Sequence, residues 1–288
     1  MQQEGVAELD VVAANIGDVR DPYADYAAAR RSGAVARVTH FGADVAMVYA
    51  ADVAEEVLGD SETFSSKING TWMRPFLGRT ILEMDGVEHR THRRLISHAF
   101  RRSILQQWED ELMRPTANEL IDRFAARGRA ELVREFAWEF PVRIIAKMVG
   151  VPLTDYSMWQ QKAIELERTA VDFPGAIAAS QELKGYFGPL VEERRADPQE
   201  DVISMLTEAE IDGERLDDDL IHSFLRLLVP AGAGTTYRLI GSLTFALLTH
   251  PEQLDAVRED RSLVPAAIAP GKSTAVRSSS IAFCCHIA

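Results

Sequence analysis

Residues 220–248 form an apolar-rich run with helical spacing, and this run constrains the fold more than any other segment. Asp218 and Asp219 precede it in its first turn, where the helix dipole favours negative charge. Thr249-His250-Pro251 ends the run and begins the next helix. About 30 residues at ~1.5 Å each span ~45 Å, the width of a domain. A helix that long and apolar is expected to run through the core rather than over it. Its middle reads Pro230-Ala231-Gly232-Ala233-Gly234-Thr235-Thr236. Proline removes a backbone hydrogen bond, each glycine weakens a helix by up to ~1 kcal/mol, and threonine hydroxyls bond back to carbonyls. A core helix weakened at its midpoint predicts that something other than a side chain packs there.

Most of the remaining chain also reads as helix. Asp21-Pro22 opens a short helix over residues 23–31. Residues 34–40 and 44–49 are rich in valine and small residues, with Phe41-Gly42-Ala43 between them, which predicts a hairpin. Residues 51–58 are helical and end at Gly59. Residues 65–80 contain Gly70, Pro75 and Gly78 without a clear period, which predicts a long irregular loop. Helices then follow over 88–100, 103–127 (kinked or split by Pro115), 139–149, 155–168 (capped by Thr154), 174–195 and 201–209. Asp212-Gly213 marks a turn. The expected class is mainly α with a small β element.

Charge and cysteine content narrow the function classes. Lys and Arg total 31 against 44 Asp and Glu, a net charge of −13. Nucleic acid and anionic membranes repel such a surface, so neither is expected as partner. Residues 224–248 carry Arg226 and Arg238, which a bilayer core penalises, and residues 1–20 hold four acids and no apolar signal region. A cytoplasmic protein is expected. The two cysteines, Cys284 and Cys285, are adjacent, so neither a disulfide framework nor a zinc site is expected.

Several motifs compete for a chemical role. Pro270-Gly271-Lys272-Ser273-Thr274 mimics a phosphate loop, but Ala266 stands where its first glycine belongs. Gly232-Ala233-Gly234 mimics a dinucleotide fingerprint, but it lies mid-helix and Tyr237 replaces the third glycine. Asp217-Asp218-Asp219 suggests a magnesium site, but Ile221 and His222 stand where a further carboxylate is needed. An acidic first helical turn explains the triplet better. His89, Arg90, His92, Arg93 and Arg94 cluster on one predicted helix, with His89 and Arg93 four residues apart on a shared face. Two donors on one face suit a carboxylate or phosphate ligand, and the plain alternative is a solvated basic surface.

The two features in this order resemble one family. Met84-Asp85-Gly86-Val87-Glu88-His89 through Arg93-Arg94-Leu95 to Ala99-Phe100 is similar to the C-helix region of bacterial cytochromes P450, the heme-thiolate monooxygenases. Ala231-Gly232-Ala233-Gly234-Thr235-Thr236 resembles their oxygen-activation motif on the long I helix. The resemblance covers roughly residues 21–268. It implies an incomplete P450 domain there, preceded by an extension over 1–20 and followed by a non-family tail over 269–288, expected to be disordered.

The resemblance implies heme as cofactor, with His89 and Arg93 donating to a propionate. It implies Ala231 and Gly232 over the heme face, and Thr235 as the catalytic residue that hydrogen-bonds oxygen and relays protons. The implied partners are an apolar small-molecule substrate, O2 and a ferredoxin- or flavin-type electron donor. Two departures stand out. Gly234 occupies the position where the family usually has Asp or Glu before the threonine. The family's Glu-x-x-Arg helix and its later heme-binding cysteine loop are not matched from Ala269 onward. A thiolate promotes O–O cleavage, so the chain is expected to lack the axial ligand, to be inactive alone, and to come from a truncated or frameshifted coding sequence. Two further readings remain: a non-catalytic helical protein with weak heme binding or an interaction role, and a helical magnesium-dependent enzyme of isoprenoid chemistry.

Overall fold

The computed structural model describes residues 7–8, 23–40, 43–169 and 172–268. The expected tail over 269–288, the phosphate-loop mimic, both cysteines, Asp21-Pro22 and Phe41-Gly42 lie outside the described residues. The fold is mainly α with two small sheets, as the helical patterns predict. Strand β1 (Ala7–Glu8) pairs in parallel with β2 (Val35–His40), so part of residues 1–20 joins the sheet. Helix α1 (Tyr23–Ser32) lies between them, and β2 pairs antiparallel with β3 (Ala43–Val48), which is the expected hairpin. Helix α2 (Ala51–Gly59) follows.

The expected irregular loop over residues 65–80 is corrected. Helix α3 (Ile68–Leu77) runs through most of it. Phe76 and Leu77 are buried, and Asn69 Nδ2 donates to the Leu82 carbonyl at 2.8 Å. Burial of that face overrides the poor local propensity. The helix stops at Gly78, whose φ of 81° lies where only glycine is comfortable.

The helical remainder begins with α4 (Gly86–Ser97), α5 (Arg102–Trp108) and α6 (Arg114–Ala125). A π-helical stretch over Glu109–Met113 joins α5 to α6, and Pro115 sits at the start of α6, so the split falls where proline predicts it. A second π-helical stretch (Val133–Trp138) leads into α7 (Glu139–Met148). Helix α8 (Tyr156–Leu166) is not capped by Thr154 as expected. Asp155 is its N-cap residue, and Thr154 Oγ1 instead donates to the Asp155 carboxylate at 3.1 Å. Helix α9 (Phe173–Ala196) begins where the Asp172 carboxylate accepts from the Gly175 amide at 3.0 Å. Helix α10 (Val202–Glu208) and a short hairpin, β4 (Glu210–Ile211) with β5 (Glu214–Arg215), turn at Asp212-Gly213.

The long apolar run forms α11 (Asp218–Leu228), a π-helical stretch over Val229–Gly234, and α12 (Thr235–Thr249). Helices α13 (Pro251–Glu259) and α14 (Val264–Ile268) complete the described chain. One core links α3, α4, α7, α8, α9, α10 and α11. Trp159 of α8 packs edge-on to Phe187 of α9 at 5.9 Å and donates to the Val142 carbonyl of α7 at 3.3 Å. The expectation that the whole run lies in the core needs correction. Eight residues of α11 are buried, whereas Ala246 alone is buried on α12. Phe245 and Leu248 are 69% and 59% exposed. The second half of the run therefore passes over the described core rather than through it.

Candidate functional site

Helix α4 presents two distinct faces. Leu95 and Ile96 are buried, and His92 and Ile96 line a small cavity with Thr80, Ile81, Leu216, Leu220 and Phe224. This contact seats α4 on the first turns of α11. Phe100 strengthens it, meeting Trp108 and Phe224 edge-on at 6.1 and 6.3 Å. Ahead of α4, the Asp85 carboxylate accepts from the Ser66 amide at 3.0 Å and from the Ser65 hydroxyl, which holds its proton affinity below the usual carboxylate range.

His89 and Arg93 stand about 60° around α4 from His92 and Ile96. Their neighbours are occupied: His92 Nδ1 bonds the Glu88 carbonyl at 2.9 Å, Arg79 pairs with Glu88, and Arg94 lies 3.7 Å from Asp212. His89 is half-buried and Arg93 exposed, and neither side chain has a hydrogen-bond or ion-pair partner among the described residues. They form a pair of free donors one helical turn apart.

The acidic triplet is spoken for. Asp217 caps α11, accepting from the Leu220 amide at 2.8 Å. Asp218 pairs with Arg195 of α9, and Asp219 with Lys184 at 2.8 Å. No group of three or more potential metal ligands occurs among the described residues. These carboxylates bind α9 to α11, which removes the motif basis for a magnesium site.

The π-helical stretch widens the long run at the predicted weak point. Pro230 has no amide hydrogen, and glycines at 232 and 234 let the wider turn form without side-chain crowding. Ala231 and Thr235 are exposed on one side, while Ala233 and Gly234 are buried. Thr235 Oγ1 donates to the Ala231 carbonyl at 2.7 Å. Gly232 is half-buried, and a Cβ on it would strike Ile145 of α7, so packing alone already demands glycine there.

Gly234 faces Glu167, at the end of α8. A Cβ at residue 234 would fall inside the Glu167 carboxylate. Glu167 Oε2 pairs with Arg238 of α12 at 3.0 Å, and Arg238 Nη1 donates to the Gly234 carbonyl at 2.8 Å. The guanidinium also lies over the Tyr237 ring, 4.9 Å from its centroid. Burial raises the Glu167 carboxyl above the usual glutamate range, with Arg238 pulling the other way. The sequence reading missed Glu167. It lies 67 residues before Gly234, at an ordinary helix end, and only the fold brings the two together.

The residues present suit a planar cofactor with carboxylate edges. Two free donors on α4 match a carboxylate, and the single methyl of Ala231 leaves the exposed side of the widened turn low. No cysteine occurs among the described residues, so a sulfur ligand to an iron is not among them.

A model of the cytochrome P450 family matches residues 18–149. The cytochrome P450 monooxygenase PikC of Streptomyces venezuelae is 32% identical over 276 residues, covering 90% of this chain and 64% of that protein. The erythromycin C-12 hydroxylase of Saccharopolyspora erythraea is 34% identical over 229 residues, covering 76% of this chain and 56% of that protein. The solved structure of cytochrome P450 CYP109Q5 from Chondromyces apiculatus superposes with a TM-score of 0.79 at 32% identity, covering 91% of this chain and 67% of that one. The chain thus spans less than two thirds of the length of these two curated relatives.

Proposed function

The chain belongs to the cytochrome P450 family, and from that premise we propose that it forms the oxygen-binding side of a heme monooxygenase site. The observation that supports this most is the widened turn Val229–Gly234, with exposed Ala231 and Thr235 at its open side. Heme, when bound, supplies the oxygen and electron-transfer chemistry. Arg93 and His89 hold one of its propionates, Arg93 through a guanidinium that stays charged at any working pH. Ala231 keeps the exposed side of the turn free of bulk where the cofactor lies, and Gly232 beside it lets the turn seat against Ile145. Thr235 carries a proton on Oγ1. It parks this proton on the Ala231 carbonyl at 2.7 Å and can swing it toward a reacting oxygen. The substrate is an apolar small molecule, consumed with O2 and electrons from a ferredoxin- or flavin-type donor. The domain runs over residues 21–268, and the sulfur ligand belongs to a segment outside the described residues.

Heme titration followed by reduction under carbon monoxide tests this reading. One heme per chain, weakened by loss of Arg93, supports it. A thiolate-type red-shifted Soret band would place the sulfur ligand at Cys284 or Cys285, and an unshifted band would place it outside this chain. No heme uptake overturns the reading and favours a non-catalytic helical protein.

A further inference from the structure

Glu167 has two carboxylate oxygens, and ion pairing accounts for one. Oε2 faces Arg238 at 3.0 Å, which ties α8 to α12. Oε1 is buried without a hydrogen-bond partner, in a side chain only 12% exposed. A purely structural clamp gives no reason to bury that second oxygen against a helix turn. A buried carboxylate oxygen that no donor meets is costly even when its partner oxygen is ion-paired, and a proton on that oxygen relieves the cost. Helix geometry adds a second point. Oε1 lies against Gly234, so the carboxyl occupies the space a side chain at 234 would fill, directly beside Thr235 in sequence. The glycine and the glutamate are complementary: any larger residue at 234 would expel Glu167 from the turn. The outer side of the group is reached through Arg238, which is 45% exposed and is the charged group facing it.

We propose that Glu167 is the proton-supplying residue for oxygen reduction at the widened turn, delivered from α8 because residue 234 has no side chain. This inference rests on the function proposed above. In each cycle the Glu167 carboxylic acid releases its proton toward Thr235 Oγ1 on the neighbouring residue of the turn. The carboxylate left behind is held by Arg238 and takes a new proton from bulk solvent. The simplest overall reaction is the reduction of O2 to hydrogen peroxide by two protons and two electrons, one electron from each of two ferrous hemes, which end ferric. Glu167 itself is neither oxidised nor reduced.

The experiment uses the 288-residue chain with glutamate carboxyls labelled with carbon-13, and assigns Glu167 by its absence in Glu167→Gln. The Glu167 titration midpoint is expected above that of ordinary glutamate. A midpoint at or below the ordinary value overturns the proposal. The heme-loaded chain is then reduced and mixed with air, and peroxide formation is followed against pH. The rate should fall with the Glu167 titration as pH rises, and Glu167→Gln should slow it by about ten-fold or more. Gln keeps the shape and the hydrogen bond to Arg238, so a structural clamp leaves both rate and pH profile unchanged, which would overturn the proposal. A further variant combines Glu167→Ala with Gly234→Glu, returning a carboxylate to the same space from the helix itself. Recovery of rate and pH profile supports the proposal, and failure to recover with heme retained overturns it. If the unaltered chain takes up no heme, the function proposed above fails and the proton path fails with it. Normal heme uptake with a pH-independent rate overturns the path alone.

Discussion

The Thr235 hydroxyl and the Ala231 carbonyl are 2.7 Å apart on the exposed side of the widened turn. The bond runs back one turn within a single helix, so it fixes the hydroxyl's position and adds little to stability. Thr235→Ala should therefore change unfolding free energy by less than about 1 kcal/mol in urea denaturation. The same variant should slow peroxide formation in the heme-loaded chain by about ten-fold. A large stability loss would assign Thr235 to the fold instead.

Arg93 and Arg94 are adjacent but differ in company. Arg94 lies 3.7 Å from Asp212, in a pair exposed on both sides. Arg93 has no partner among the described residues. Arg93→Ala should weaken heme binding by about 10- to 100-fold, since a hydrogen bond to a charged group contributes roughly 1.5–3 kcal/mol. Arg94→Ala should leave affinity within about two-fold, because exposed ion pairs contribute little. Parallel heme titrations check both, and equal effects would return the α4 cluster to a plain basic surface.

Arg194 and Asp201 form the most buried ion pair shown in the fold, 2.6 Å apart with side chains 10% and 6% exposed. Asp201 also caps α10, accepting from the Ser204 amide at 2.8 Å, and packs against Gly150, whose φ is 76°. Asp201→Ala leaves a buried guanidinium with only Glu193 beside it and removes the cap. It should destabilise the protein by about 3–5 kcal/mol. Chemical denaturation measures this, and a loss below about 1 kcal/mol would show that solvent reaches Arg194.

Local signals in this chain were legible where backbone chemistry forces a structure. Pro230, Gly232 and Gly234 predict a disrupted helix because each weakens the ordinary hydrogen-bond pattern, and the π-helical stretch falls on them. Pro115 and Gly213 mark their breaks for similar reasons. Helix α3 was not legible, since Gly70 and Pro75 argue against it and only burial of Phe76 and Leu77 supports it. The position of α12 was not legible either. It continues the apolar-rich run of α11, but apolar content does not reveal which neighbours cover a helix. His89, Arg93, Ala231 and Thr235 were readable as motifs within single helices. Glu167 was not, because its meaning depends on α8 ending against Gly234. An interaction 67 residues apart leaves no periodicity to read.

His222 gives the fold a pH dependence of defined sign. Its ring is half-buried on α11, with Nδ1 unpartnered, and burial is the main force holding its imidazole below the usual histidine value. Lys184 and Arg226 push the same way, while Asp218 and Asp219 oppose them. The native state therefore resists protonation that the unfolded chain accepts. Below the unfolded value of about 6.5 the unfolded state binds more protons, so stability is fully present above that pH and is lost as pH falls through the native value. The carboxylates of Asp218 and Asp219 are held low by Arg195 and Lys184. Their contribution disappears only below the unfolded aspartate value of about 3.9, a separate window. Unfolding free energy should therefore fall between about pH 7 and pH 5 in the wild-type chain, and fall less in His222→Gln. Denaturation curves at the two pH values, compared between the chains, give the difference directly. Identical slopes would mean that the ring is solvated in both states.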